Sequence, residues 1–306
     1  MQNYLFTPLP ATEHIFSYEG AVQAHLKTLG LSLLFFMGFN YFATSVFKYW
    51  SPDFYAKHRE DTKKQQAVVA MIISCVHHVI TCATAVYTLF IMPPQDPPMR
   101  FLFSPNKQNL DYYPITSQQC MFTLAYLVYD LFLQTMVIED FSQLGYQQHF
   151  HHVFASTILV VGCLGGMHQP KLMVVVLMCE LSTIFLHIRE IKGKTTWKGI
   201  FATLNTGIFF ICYTLVRVVL FPFAIYAHFK LATLYDFSKT SWFHQFSWWF
   251  SLGCFFLIYM LNMFWYKIIL KSVKNMIFKK PVDGFQKYED EKNKLTSDDS
   301  AAENKI

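Results

Sequence analysis

The stretch from Tyr129 to Arg189 reads YDLFLQTMVIEDFSQLGYQQHFHHVFASTILVVGCLGGMHQPKLMVVVLMCELSTIFLHIR, and its reading decides the fold. It holds apolar runs long enough to lie in a bilayer, and in or against them stand Asp130, His151, His152 and Glu180. Ionisable groups are costly at such depth, so their presence marks either a functional centre or a polar bond between helices.

The whole chain repeats this pattern. Of 306 residues, 53% are hydrophobic and only 15% charged, with mean hydropathy +0.27. Soluble domains carry roughly 25% charged residues. Apolar runs fall near 28–48, 67–92, 119–138, 148–167, 171–188, 199–227 and 245–269. Most approach the roughly 20 residues that a helix needs to cross a bilayer. Only helices or closed barrels satisfy the backbone in lipid, and no alternating barrel pattern occurs. The expected fold is therefore all-α, a polytopic transmembrane bundle of about seven spans. The expected organisation is an extramembrane segment over 1–27, the bundle over 28–270, and a basic-then-acidic tail over 271–306. The fourth and fifth spans, separated by Gly165, Gly166 and Pro170, should form a hairpin.

The N-terminal residues MQNYLFTPLPATEH lack a basic region followed by an apolar run and a cleavage site, so the first span is expected to direct its own insertion. Lys and Arg crowd three loops: Lys48 to Lys64, Arg189 to Lys198, and Lys267 to Lys280. The positive-inside rule then places the N-terminus outside and the C-terminus inside. The basic residues cap apolar runs and form no groove for phosphates, which argues against nucleic acid. The seven cysteines lie within apolar segments without a CxxC, which argues against a disulfide framework or zinc knuckle. The loop at 93–117, with PPQDPP, and the tail at 281–306, with the composition of a disordered segment, are the expected contacts for protein partners. Membrane lipids are the other expected partner.

Counting along the helices at about 1.5 Å per residue places His77, His78, Asp130, His151, His152, Glu180 and Asn205 in one layer, roughly 5 to 15 Å below the inner surface. The candidate site is a polar pocket lined by His77, His78, Glu180, Asn205 and Arg217, with His151, His152 and Asp130 as candidate catalytic groups. The competing reading is a hydrogen-bond network that only joins the helices. Arg217 either meets a lipid headgroup, pairs with an acid, or extends its side chain to the interface. His149, His151 and His152 form an HxHH cluster, but adjacent histidines diverge by about 100° on a helix and no metal is expected. Ser74, Ser156 and Ser182 show no nucleophile elbow.

These residues resemble the TLC-domain family, which takes in translocation-associated membrane proteins, the Lag ceramide synthases and a ceroid-lipofuscinosis protein. The resemblance rests on Ser74 and His77 in SCVHH, the YD of Tyr129 and Asp130, the HH of His151 and His152, and ELSTIFLHIR from Glu180. Asn205, Gly207, Phe210, Arg217 and Pro222 continue it, and it spans about 65–270. Ceramide synthases of that family join an acyl chain from acyl-CoA to a sphingoid amine, using paired histidines and paired aspartates. Here Glu180 stands at the later acidic element without a second aspartate, which implies a branch lacking the full synthase motif. The resemblance thus implies a protein that binds or senses an acyl lipid without catalysis and without a cofactor. One alternative is an acyl-CoA-dependent acyltransferase in which His151 or His152 is the general base. The other is an accessory subunit of a larger membrane complex, for example a respiratory one. The implied location is the endoplasmic reticulum, with the mitochondrial inner membrane fitting the subunit alternative.

Overall fold

The computed structural model describes residues 21–91, 102, 114–165, 169–194, 200–234, 237–239 and 241–278. Every regular element among them is helical. Helix α1 covers Ala21–Trp50, and α2 is a short turn over Pro52–Lys57. Helix α3 covers Thr62–Val86 and ends in a π-helical turn, Tyr87–Ile91. Helix α4 covers Pro114–Phe132 and also passes into a π turn, Leu133–Ile138. Helices α5 and α6 cover Gln143–Gly165 and Gln169–Leu177, and α7 covers Glu180–Lys194. Helix α8, Ile200–Tyr213, continues through a third π turn, Thr214–Leu220, into α9, Phe221–Leu234. Helix α10 covers Trp242–Ile277.

Among the described residues, six helical stretches are long and apolar enough to cross a membrane: 22–50, 62–91, 115–138, 172–191, 203–234 and 242–275. They match six of the seven expected spans. The remaining one, expected at 148–167, is the 23-residue helix α5. It falls outside the six because Gln147, Gln148, His149, His151 and His152 crowd its first half. The expected fifth span holds a feature that its apolar pattern does not announce: the helix breaks at Met178 and Cys179 and restarts at Glu180. The 93–117 loop, apart from Leu102 and the start of α4, and the 281–306 tail lie outside the described residues.

The chain divides into two units, Met1–Tyr259 and Met260–Ile306. In the first, Phe36, Val69, Ile73, Ala125, Tyr126 and Phe255 belong to one buried cluster drawn from α1, α3, α4 and α10. A second cluster takes Val174 and Val175 from α6, Ala224, Ala227 and Leu231 from α9, and Trp248 from α10. Large apolar side chains such as Leu34, Met37, Phe42, Leu204, Ile211 and Leu215 remain outward. In water such a surface would aggregate, whereas in a bilayer it meets acyl chains. In the second unit the described part is the end of α10, where Met260, Phe264 and Ile268 are exposed at four-residue spacing and Lys274 occupies the last turn.

Local chemistry sets the register of α5, which carries the histidine cluster. The Gly145 amide donates to Ser142 Oγ at 3.1 Å, an N-cap bond of the kind that starts helices. A Cβ at Gly145 would collide with the Asp140 carbonyl oxygen, so only glycine fits this approach. At the same end of the bundle, Lys63 pairs with Glu139 at 2.6 Å, and Glu139 adopts a left-handed backbone (φ 56°) that closes the π turn.

Candidate functional site in the middle of the bundle

The break before α7 exposes main-chain polar groups at mid-depth. Around it the amide of Cys179 bonds the Val176 carbonyl (2.9 Å) and that of Leu181 bonds Met178 (3.1 Å), tight three-residue steps in place of α-helical ones. Arg217 covers the break. Its Nε donates to the Cys179 carbonyl (3.2 Å) and to Ser182 Oγ (3.0 Å), and one terminal nitrogen donates to Thr183 Oγ1 (2.9 Å). That nitrogen also lies 3.8 Å from Glu180 Oε2. Arg217 stands in the π turn after α8, an irregularity frequent at functional sites. Glu180 opens α7, where the positive end of the helix dipole favours a carboxylate.

Helix α3 supplies the next ring of contacts. Glu180 Oε2 lies 3.2 Å from His78 Nδ1, and His78 Nδ1 lies 3.1 Å from His77 Nδ1. On its other side His77 Nε2 meets Thr81 Oγ1 (3.1 Å) and Thr123 Oγ1 (3.4 Å). Its ring stacks on Tyr126 with centroids 3.8 Å apart and planes within 11°. Ser74 Oγ has three partners: it accepts from the Tyr126 hydroxyl (2.7 Å) and meets His78 Nε2 (2.9 Å) and His187 Nε2 (2.7 Å). His187 continues to Glu190, its Nδ1 lying 3.4 Å from Oε2.

A second pair lies between α4 and α5. Asp130 Oδ2 is 3.4 Å from His152 Nδ1 and 3.5 Å from Gln148 Nε2, with Asp130 and His152 both buried. His151 lies beside His152 at 5.8 Å between ring centroids and close enough to Glu180 to interact electrostatically. Tyr126 joins the two groups, since its ring meets His152 edge-on at 6.3 Å while its hydroxyl reaches Ser74. His77, His78, Glu180 and Arg217 thus come together, and Asp130, His151 and His152 adjoin them. Asn205 stands apart: its Nδ2 donates to the Phe185 carbonyl (2.8 Å) and ties α8 to α7.

His78, Glu180 and Arg217 lie close to the middle of the spans 62–91, 172–191 and 203–234. That is about 15 Å from either surface of a typical bilayer core. Tyr126, Thr183, His187 and Glu190 were not among the residues expected from sequence. The last three carried a signal, because Glu180, Thr183, His187 and Glu190 recur at three, four and three residues and so line one face of α7. Among the described residues no grouping of three or more His, Cys, Asp or Glu could hold a metal ion.

The six apolar spans among the described residues, with ionisable groups held at mid-depth in several of them, define an integral membrane protein of the polytopic all-α class. The family model of the TLC domain matches residues 68–271, two-thirds of the chain and every residue of this centre, and the protein belongs to that family. No curated protein and no solved structure gives a match.

Proposed function

We propose that the protein binds an acyl lipid, with the lipid's polar portion held at the centre formed by Glu180, Arg217, His77 and His78. The observation that carries this reading is the broken span. Main-chain groups freed in the middle of a membrane are tolerated where protein covers them or a polar cavity receives them, and broken helices of this kind build substrate sites in transporters. Here an arginine, a glutamate and a helix start converge on the break. A guanidinium with its fork of donors suits a carboxylate, phosphate or carbonyl oxygen on an otherwise apolar molecule. The membrane proposed for this role is that of the endoplasmic reticulum.

The test is purification of the full chain in mild detergent followed by mass spectrometry of retained lipids. The expected result is one lipid class enriched over the bulk membrane and lost on Arg217→Gln. A lipid profile indistinguishable from the bulk membrane in the parent protein would overturn the reading.

One observation favours a second reading, acyl transfer from acyl-CoA. Asp130 faces the Nδ1 of His152 and can orient that imidazole as a general base toward an amine or hydroxyl. His152→Ala with intact expression then depletes a specific acylated lipid in cells, and an unchanged lipid profile excludes catalysis through that residue.

A further inference from the structure

Ser74 has a bonding problem with only one kind of solution. A hydroxyl donates one hydrogen and accepts two, and Ser74 Oγ has three partners within 2.9 Å. One acceptor position is taken by the Tyr126 hydroxyl. Of the two imidazole nitrogens that remain, one must carry hydrogen and donate to Ser74, and the other must be bare and accept from it. His78 and His187 are therefore held in opposite states at Nε2. Two arrangements satisfy all three contacts of Ser74, and they differ in which Nε2 carries the hydrogen and in the direction in which the hydroxyl points.

The outer nitrogens extend the chain in both directions. His187 Nδ1 faces Glu190, whose side chain is 34% exposed, at the end of the span 172–191. His78 Nδ1 faces Glu180 in the middle of that span. The two carboxylates are ten residues apart on α7, about 15 Å along its axis. We propose that Glu190, His187, Ser74, His78 and Glu180 form a proton relay from one membrane face to the buried centre.

The transfer balances without any further reactant. A proton leaves Glu190 for His187 Nδ1. The hydrogen on His187 Nε2 moves to Ser74 Oγ as the Ser74 hydrogen moves to His78 Nε2. The hydrogen on His78 Nδ1 then passes to Glu180 Oε2. One proton has moved from Glu190 to Glu180, both histidines are neutral with their tautomers exchanged, and Ser74 is again a hydroxyl pointing the other way. The contact between His77 Nδ1 and His78 Nδ1 is made in the first arrangement, where His78 Nδ1 carries the hydrogen, and is given up in the second, where Glu180 carries it, while Thr81 and Thr123 stay on His77 Nε2 throughout. Tyr126 donates to Ser74 in both arrangements.

The groups around the two ends set the consequence. Glu180 is faced by Arg217 from the π turn, His77 and His78 from α3, and His151 from α5. His187 is faced by Glu190 from its own helix, His78 from α3 and Asp130 from α4. A proton delivered to Glu180 cancels its charge and leaves that of Arg217 uncompensated, so the relay adjusts the charge at the centre from the membrane face.

Two measurements on the full chain in lipid nanodiscs test this, neither needing a ligand. Nitrogen-15 spectra of labelled histidine, assigned with His78→Gln and His187→Gln, should show one of the two Nε2 atoms protonated and the other bare. Protonation at both would overturn the relay. After a pH jump, the infrared carbonyl band of protonated Glu180, assigned with Glu180→Gln, should grow roughly tenfold more slowly in Ser74→Ala, a barrier rise of about 1.4 kcal/mol. Ser74→Thr, which keeps the hydroxyl, should restore the rate. An unchanged rate in Ser74→Ala would overturn the proposal, and if that variant does not fold, the parent's tautomers decide alone.

Discussion

Two buried histidine environments in this bundle look alike in composition and differ in what they can do. His228, on α9, is fully buried beside Trp248 of α10. Its Nε2 bonds the Trp248 carbonyl at 3.0 Å, and the Trp248 indole donates back to the His228 carbonyl at 3.3 Å. Each helix satisfies the other through neutral groups, and the surroundings are alanine, leucine and aromatic rings. His78 is equally buried, yet its neighbours are Glu180, His77 and a serine shared with His187. The first arrangement has a single stable proton pattern and joins two helices. The second has more than one, and charge within reach. What distinguishes an adhesive histidine from a reactive one is the titratable character of its partners, since burial is common to both.

The comparison breaks most sharply at Arg217. Arg217→Met removes the guanidinium donors from the break before α7, leaving the Ser182 hydroxyl on the Cys179 carbonyl, and leaves the largely buried Glu180 without its cation, a loss expected to cost about 3–5 kcal/mol. Unfolding in detergent at graded denaturant should show it, and Glu180→Gln in the same chain should recover part of the loss. Strict additivity of the two substitutions would mean that the pair is uncoupled, and the centre would then resemble the His228 joint.

A smaller effect is expected where the hydroxyl hub is emptied. Ser74→Ala leaves Tyr126 and two imidazole nitrogens short of a partner, at about 1–3 kcal/mol. His228→Phe removes one bond between helices and should cost about 1 kcal/mol or less, near the average for polar contacts inside membranes. Equal losses at the two sites, by the same unfolding measurement, would erase the distinction between them.

The fold was legible because the bilayer leaves few choices: apolar length and Lys and Arg placement announce spans whatever the neighbours are. The site was legible in part. Asp130, His151, His152, Glu180 and Arg217 stood out as ionisable groups where such groups are costly. Tyr126 did not, because a tyrosine in an apolar run is unremarkable until its partners are known, and Ser74 was marked only by its place in SCVHH, not by the contacts it makes. His187 and Glu190 sit near the end of a span, where polar residues are ordinary, and only their register with Glu180 set them apart. The break at Met178 and Cys179 had no signal, since MCE continues a helical pattern and the interruption depends on Arg217, 38 residues later, to bond the freed Cys179 carbonyl. α5 shows the opposite case, because the histidines that mark it as a site also lower the apolarity of the span expected at 148–167.

A polar bond at the mouth of the bundle gives the scale against which the buried ones are judged. Asp61 is the N-cap of α3, accepting from the Lys64 amide at 3.0 Å and pairing with the Lys64 ammonium at 3.1 Å. Partial burial pushes its carboxyl up, but the Lys64 amide bond, followed by the hydrogen bond and charge of the Lys64 side chain, outweighs that and holds it below the ordinary aspartate range. The ionised form is therefore favoured by folding. Its contribution is present above the unfolded pKa, near 4, and is lost as pH falls through the lower folded value. Asp61→Ala should cost about 1 kcal/mol at neutral pH. The difference from the parent should shrink as the medium is acidified below pH 4, because the parent then loses the same interaction. A cost unchanged down to pH 2 would show that the carboxylate's charge is not what caps α3.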